Sequence, residues 1–552
     1  MSNFKSNVTP PVVHVNDVDI LIDTQQLGYL DIVLELNNSN FKTSKTKVLS
    51  KVEVETAVKA ETFTINWGDG TAETYTYETD TKIVEHTYVI DGEYTIKITD
   101  DYTGIISNQA KQVIINDNNN INKLSVSTVN LDSNNGIVNL DKLYPTLESL
   151  YIANNTFLSD NLEETLLKFP KLTTLNIINK GLTSFNTQGF EKLQFFHIAN
   201  NPITSLDVSK LVNLENLALS FTQILNNELK TLLTQIPNKD KLKVLSCNGL
   251  GITDTFDVTD FTNLEILACR NNGDLSSLVI SNLTKLNFIT LLGSIGITSL
   301  NCSNTALDNI IGLSGLTNLT TFNCSNTKFG TLDVTGLTNL TTLNCSNTKL
   351  ATLNLSTLTN LTTLTVSGVT TLTSLNCSNT KLTTLNVTGL TNLTFLDCSN
   401  TKLTTLDVST LTNLTTLDVT AITTLTTLNC SNTKLTTLDV STLTNLTTLN
   451  VTGLTNLTTL NVTGLTNLTT LNCSNTTLAI LYVLGATNLT TLNCNSCNFN
   501  QVTANALAGQ LVANGKNNGT LNLSTQQSGT PIVITGSLLQ LQNPPKNWTI
   551  TV

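Results

Sequence analysis

The feature that most constrains this chain is a short leucine repeat. Its best-preserved copy reads Leu340-Thr-Thr-Leu343-Asn344-Cys345-Ser-Asn-Thr-Lys-Leu350, continues Leu353-Asn354-Leu355-Ser-Thr-Leu358-Thr-Asn360, and restarts at Leu361, a period of 21. A unit this short cannot bury an apolar face alone, so successive units must stack and share one core. Side chains alternate along a strand. In L-x-x-L-x-C the Leu and Cys therefore point inward, and residues such as Thr342 and Asn344 point out. Roughly sixteen stacked coils at ~4.8 Å each would give an extent of about 75–80 Å.

Cysteine spacing refines this pattern. Of 11 cysteines, ten occupy the same place in the motif: Cys247, Cys269, Cys302, Cys324, Cys345, Cys377, Cys398, Cys430, Cys473 and Cys494. Their successive gaps are 22, 33, 22, 21, 32, 21, 32, 43 and 21, so the chain is built from half-units of 10 or 11 residues. Extra half-units fall near 286–297, 361–372, 414–425 and 446–468. If each coil has two sides, a single extra half-unit moves the Cys row to the opposite face. With three-sided coils the row stays in place. The row itself reads as a structural ladder of reduced thiols, since a free Cys packs as a small hydrophobe. Parallel neighbours point the same way and not at each other, which disfavours disulfides. Cys494 and Cys497 form a lone C-x-x-C, but no second pair follows and only three histidines exist, so structural thiols are expected.

The repeat accounts for an unusual composition. Only 12% of the 552 residues are charged and 5% aromatic, against about 25% charged in an ordinary globular protein. The net charge of −11 argues against nucleic acid, whose binding needs clustered cations. No run of about 18 apolar residues suggests membrane insertion. The N-terminus has neither a basic segment nor an apolar stretch of the export type, so synthesis and maturation in a cytoplasm are expected. Paired acids, nucleophile elbows, H-E-x-x-H, phosphate-binding loops and dinucleotide fingerprints are all missing from the sequence. The expectation is a protein that is not an enzyme, with no catalytic, cofactor-binding or metal residues and no cofactor.

The spacing and the Cys and D-V-S elements resemble the internalin J-like, 21-residue class of leucine-rich repeats, over Leu147 to about Cys494. Near the N-terminus, Ile20-Leu21-Ile22, Leu30 to Leu34, Phe63-Thr64-Ile65 and Tyr94 to Ile98 alternate as short strands do. The cluster Asn66-Trp67-Gly68-Asp69-Gly70-Thr71, followed by His86-Thr87-Tyr88 and Gly92-Glu93-Tyr94-Thr95-Ile96, resembles a PKD-type immunoglobulin-like domain. That resemblance implies a spacer or adhesion module, with Asp69 serving its own turn. Asn116 to Asn122 reads as a linker, because it lacks the spaced carboxylates of a calcium loop.

Helix-like stretches run Leu162 to Phe169, Asn227 to Leu233 and Val502 to Asn514; the first two are expected opposite the strands, and the third opens the tail. The tail, with Gly519-Thr-Leu521-Asn-Leu523-Ser524 and the ending Asn547-Trp548-Thr549-Ile550-Thr551-Val552, resembles a terminal unit of leucine-rich-repeat proteins of Bacteroidetes and of phage virions. Physically it is a cap for an open solenoid end.

The expected fold is thus mainly β with a few short helices. An N-terminal Ig-like β-sandwich region precedes a leucine-rich-repeat solenoid with a C-terminal cap. The expected divisions are 1–52, an N-terminal β segment for docking; 53–117, the PKD/Ig-like domain; 118–146, linker and N-terminal cap; 147–500, the solenoid; and 501–552, the capping unit.

At outward positions most coils carry Thr and Asn, but Tyr151, Phe195 with His197, Ile266, Phe288, Phe395 and Tyr482 depart from that rule. They are the candidate partner-contact residues, because exposed aromatics on one face make a binding patch. The competing reading is that flanking loops cover them. His197 has no carboxylate, Ser or Cys partner at a catalytic spacing and reads as a surface histidine.

The resemblances imply a non-enzymatic structural or adhesive protein of a phage virion (tail fibre, baseplate or capsid decoration). It would be made in the host cytoplasm and displayed on the virion surface. The N-terminal region would contact other virion proteins, and the solenoid a host-surface glycan or protein. Association of identical copies is compatible with this. The alternative is a secreted leucine-rich-repeat adhesin on a bacterial cell surface. Ice binding by the Thr stripe is a third, weaker reading, since Asn and Asp interrupt the hydroxyl array.

Overall fold

In the computed structural model, residues 144–145, 147–153, 162–529 and 531–552 are described, together with the backbone of strands between Ser39 and Val138. The chain divides into two compact units, Met1–Phe157 and Leu158–Val552. In the first, Leu49–Glu55 pairs antiparallel with Thr81–Thr87, and Thr62–Asn66 with Ala72–Thr76. Ser149–Ala153 pairs parallel with Lys123–Ser127. The Trp67-Gly68-Asp69-Gly70 turn, residues 1–38 of the docking segment and the side chains that would give 53–117 its expected Ig-like character lie outside the described residues.

The second unit is a β-solenoid of about 15 turns. Its strands are mostly three residues long because each half-unit turns after L-x-x-L-x-[CV]. Two rows of parallel strands alternate along the chain. On the first side, Thr174–Ile178, Phe195–His197, Asn216–Ala218, Val244–Ser246, Ile266–Ala268 and Phe288–Thr290 pair in register. On the second side, Asp254–Asp257, Leu275–Val279, Ser299–Asn301, Thr321–Asn323, Thr342–Asn344 and Thr363–Thr365 do the same. Later coils repeat the plan. Thr352–Asn354, Ser374–Asn376, Phe395–Asp397 and Thr416–Asp418 lie on the first side, and Thr405–Asp407, Thr427–Asn429, Thr448–Asn450, Thr470–Asn472 and Thr491–Asn493 on the second.

This alternation decides between two- and three-sided coils. Each coil has two strand-bearing sides, and each single extra half-unit moves the Cys row across. Cys247 and Cys269 follow first-side strands, Cys302, Cys324 and Cys345 second-side strands, Cys377 and Cys398 first-side strands again, and Cys430, Cys473 and Cys494 second-side strands. The stretch 446–468 adds two half-units and so leaves the row where it was. At most places where Cys is missing, Val or another aliphatic residue stands instead: Val258, Ile280, Val366, Val408, Val419 and Val451 are all buried. Cys and Val differ little in volume, which is why the core tolerates the exchange.

All eleven cysteines are buried free thiols. Cys247, Cys302, Cys377 and Cys473 each donate to a carbonyl of the following coil, at 3.3, 3.5, 3.3 and 3.3 Å. The sulfurs of Cys377 and Cys398 are 3.7 Å apart and those of Cys473 and Cys494 3.3 Å, closer than the parallel-strand argument expects. Burial pushes the Cys302, Cys345 and Cys430 thiols up to about 12.

The half-units turn by fixed chemistry. After a Cys strand, Asn344 Oδ1 accepts from Ser346 N and Oγ, Asn347 takes φ +54°, and Thr348 Oγ1 donates to the Cys345 carbonyl. Asn tolerates this left-handed conformation better than most residues. Successive Asn side chains also bond along the axis, Asn347 Nδ2 to Asn326 Oδ1 at 2.9 Å. After a Val strand, Asp or Asn plays the first role, and Gly often supplies the positive φ. The backbone N–H and hydroxyl of Ser209 hold the Asp207 carboxyl below its usual range in this way, and those of Thr335 and Ser441 do the same for Asp333 and Asp439.

Helices replace strands near the ends. Helices α1 (Leu162–Leu166) and α2 (Asn226–Gln235) follow first-side coils and stand opposite those strands, as expected. Helix α3 (Gln501–Ala513) follows the second-side strand Thr491–Asn493 and stands opposite it. It succeeds Ile480–Tyr482 on the first side, where Gln510 Oε1 accepts from Val483 N and Leu484 N, and Asn514 Nδ2 donates to the Val483 carbonyl. Two amide side chains thereby satisfy backbone groups of the row's last coil, the danger of an open edge. A fourth helix, α4 (Gly536–Gln542), packs on α3. Trp548 is buried over Gly519, where a Cβ would sit 2.5 Å from the indole, and its Nε1 donates to the Lys516 carbonyl.

Candidate interaction surface

In the second unit, every candidate contact residue falls on the first side. Phe195, Ile266 and Phe288 begin strands of its first sheet, and the row between them continues through Asn216 and Val244. His197 belongs to the neighbouring outward row, with Asn176 and Ala218 on either side. Phe395 and Tyr482 occupy the same side in later coils. Tyr151 belongs to the first unit and is half-buried in Ser149–Ala153.

Exposure separates these residues. Phe195, His197, Phe288 and Phe395 are half-buried, and Tyr482 is 46% exposed. Ile266 points outward by register yet is only 5% exposed. The expectation of an exposed Ile266 is corrected here: its row neighbours are Val244 and Phe288, and large side chains at about 4.8 Å spacing cover one another. A continuous outward apolar row is therefore partly dry. Burial lowers the His197 pKa, opposed by a hydrogen bond in which Nε2 meets Asn216 Oδ1 at 2.8 Å. In the turn after the first strand of the solenoid, burial brings Lys180 down to about 7.

Sequence reasoning missed an apolar corner next to Phe288. Leu292, Ile295 and Ile311 are 48%, 54% and 43% exposed. Ile311 bridges Thr290 of the preceding coil, and Gly312, at φ +91°, lets the backbone pass so close that a Cβ would lie 2.7 Å from the Leu292 Cα. The signal was present: Gly293-Ser294-Ile295-Gly296 replaces the usual polar turn, and Gly312 stands where Cys or Val should follow Ile310. A second exposed group is Ile480, Tyr482 and Leu484, alternate residues on one strand and its exit.

The described residues contain no group of three or more His, Cys, Asp or Glu that could hold a metal ion. No helix among them is long and apolar enough to cross a membrane.

No family model and no curated protein matches the chain. Among solved structures it is similar to the functional domain of InlJ from Listeria monocytogenes, described as including a cysteine ladder, at 24% identity over 69% of this chain and 75% of that one, with a TM-score of 0.26. A leucine-rich-repeat protein of Leptospira interrogans is 19% identical over 67% of this chain and 90% of its own, TM-score 0.24. YopM from Yersinia enterocolitica is 17% identical over 68% and 87%, TM-score 0.24.

Proposed function

We propose that this chain is a non-enzymatic interaction protein whose solenoid contacts its partner through the first side, with the main contact at Phe195, Phe288, Leu292, Ile295 and Ile311. The observation that carries this reading is the concentration of outward apolar side chains on one of two otherwise equivalent sides. Apolar side chains rimmed by Thr and Asn are what a protein–protein contact desolvates. The setting we propose is a phage virion, as a tail-fibre, baseplate or decoration protein anchored by its N-terminal β region. That setting draws on the likeness of the Gly519–Ser524 and Asn547–Val552 segments to terminal units of leucine-rich-repeat proteins of Bacteroidetes and of phage virions. The second reading is a bacterial cell-surface adhesin, and the same contact side serves either.

Replacing Phe195 and Phe288 together by Ser is expected to lower adsorption to host cells by an order of magnitude or more, since buried aromatic anchors dominate binding. Thr342→Ser on the second side should leave adsorption unchanged. Unaltered adsorption by the double variant would sink the reading. Co-purification with phage particles or with outer-membrane fractions separates the two settings.

A further inference from the structure

An open trough of about 560 Å³ runs across consecutive coils, lined by Thr298, Thr320, Thr341 and Thr362, by Asn318, Asn339 and Asn360, and by Lys381. Its polar groups are fixed in one sense. Thr320, Thr341 and Thr362 donate their hydroxyl protons to the carbonyls of Thr298, Thr320 and Thr341, at 2.9, 3.0 and 3.1 Å. Asn318, Asn339 and Asn360 donate through Nδ2 to the carbonyls of Ile295, Thr317 and Thr338, at 3.0, 3.0 and 3.1 Å. What remains for a visitor is mostly acceptor capacity: each coil offers the Asn Oδ1 and Thr Oγ1 lone pairs against one unspent Asn Nδ2–H, repeated at about 4.8 Å. At one end Lys381 Nζ donates to Asn360 Oδ1 at 2.8 Å and keeps further N–H donors free of any carboxylate among the trough's lining residues.

The lysine stands there because the cysteine row changes side. The extra half-unit at 361–372 brings a Ser378-Asn379-Thr380-Lys381 turn to the place where the Asn row would have continued, and Lys381 N bonds the Leu361 carbonyl. The same ending recurs where Lys434 donates to Asn413 Oδ1 and Lys516 to Asn488 Oδ1, at 2.8 and 3.3 Å.

We propose that this trough binds a linear glycan carrying a carboxylate, its hydroxyls donating to the Asn and Thr oxygens and its carboxylate taken by Lys381. The proposal rests on the reading of the solenoid as a contact surface and names a second ligand site on it. A polyol chain brings repeated hydroxyl donors to meet that excess of acceptors, and its oxygens can accept from the one Nδ2–H each Asn has left. An extended peptide brings one N–H per residue with a carbonyl beside it, fewer donors than the acceptors each coil offers. A polynucleotide brings an anion at every step and would need a cation in every coil, where the lining supplies Lys381.

The test is calorimetric titration of the full chain with a uronic-acid tetramer and with its carboxyl-reduced neutral counterpart. The acidic tetramer should bind at least about tenfold more tightly, as expected for a charge-assisted hydrogen bond. Lys381→Gln, at an exposed position, should erase that preference without changing the melting temperature, and Thr341→Tyr, which fills the trough, should abolish binding of both. Equal binding of the two tetramers by the native chain, no binding of either, or a preference that survives in Lys381→Gln would overturn the proposal. Such a result leaves the Phe195 and Phe288 contact standing, because that contact is read by adsorption and not by the tetramer. Inhibition of adsorption by the free tetramer would place the glycan on the cell surface. Tetramer binding without such inhibition would assign the trough to soluble acidic oligosaccharides.

Discussion

The two sides of the solenoid share one interior and have different exteriors. Inside, Leu343 on the second side and Leu396 on the first are equally buried, and the Cys and Val positions exchange between sides without disturbing either row. Outside, the second side repeats Thr321, Thr342, Thr363, Thr405, Thr427, Thr448, Thr470 and Thr491 at strand starts. The first side carries Phe195, Val244, Ile266, Phe288, Phe395 and Ile480 at half of the corresponding places, with Thr174, Asn216, Thr352, Ser374, Thr416 and Thr459 at the others. Folding needs the inward pattern on both sides and asks little of the outward one. Apolar residues concentrated outward on one side are thus left to be explained by contact rather than by stability.

The sharpest way to break this comparison is in the core. Leu343→Ala and Leu396→Ala are each expected to cost about 2–5 kcal/mol, the range for truncating a fully buried leucine. Urea denaturation of both variants checks it, and a clearly unequal pair would show that the two interiors are not equivalent. A smaller effect is expected at the turns. Asn347→Ala should cost about 1–2 kcal/mol because Ala is strained at positive φ, while Asn347→Gly should cost less. If the two substitutions cost the same, the axial Asn bonds outweigh the backbone conformation.

The mildest effect concerns dryness at the first side. The His197 pKa is depressed by burial, so its contribution to stability is present above about 6.5, its ordinary value, and lost as the pH falls through the folded value. Lys180 has the same sign: lowered from 10.5 to about 7, it costs stability in full below pH 7, and the cost fades as the pH rises toward 10.5. Lys180→Met should therefore raise the melting temperature more at pH 6 than at pH 10. An NMR titration placing His197 at or above 6.5 would show that its own row, beside Asn176 and Ala218, is wet.

Much of this was legible beforehand for a physical reason. Inward Leu and Cys recur at fixed spacing, so the solenoid, its half-units, the ladder of buried thiols and the Trp548 cap could be read from residues alone. The helices α1, α2 and α3 were visible because they interrupt the Leu/Thr pattern. What was missed lay where the pattern fails locally. Ile266 was read as exposed since alternation gives direction and says nothing of cover from the adjacent coil. Leu292, Ile295 and Ile311 were passed over because they sit in a turn and an irregular half-unit, outside the strand motif.

The sequence by itself determined the repeat, its length and which residues face the core, since these follow from spacing along one chain. Only the tertiary structure decided that the coils have two sides, that the cysteine row crosses between them, and that Phe195, Phe288, Phe395 and Tyr482 share one of them. Which strand lies beside which depends on how many half-units complete a coil. That number is set by packing across the core and not by any local preference of the residues.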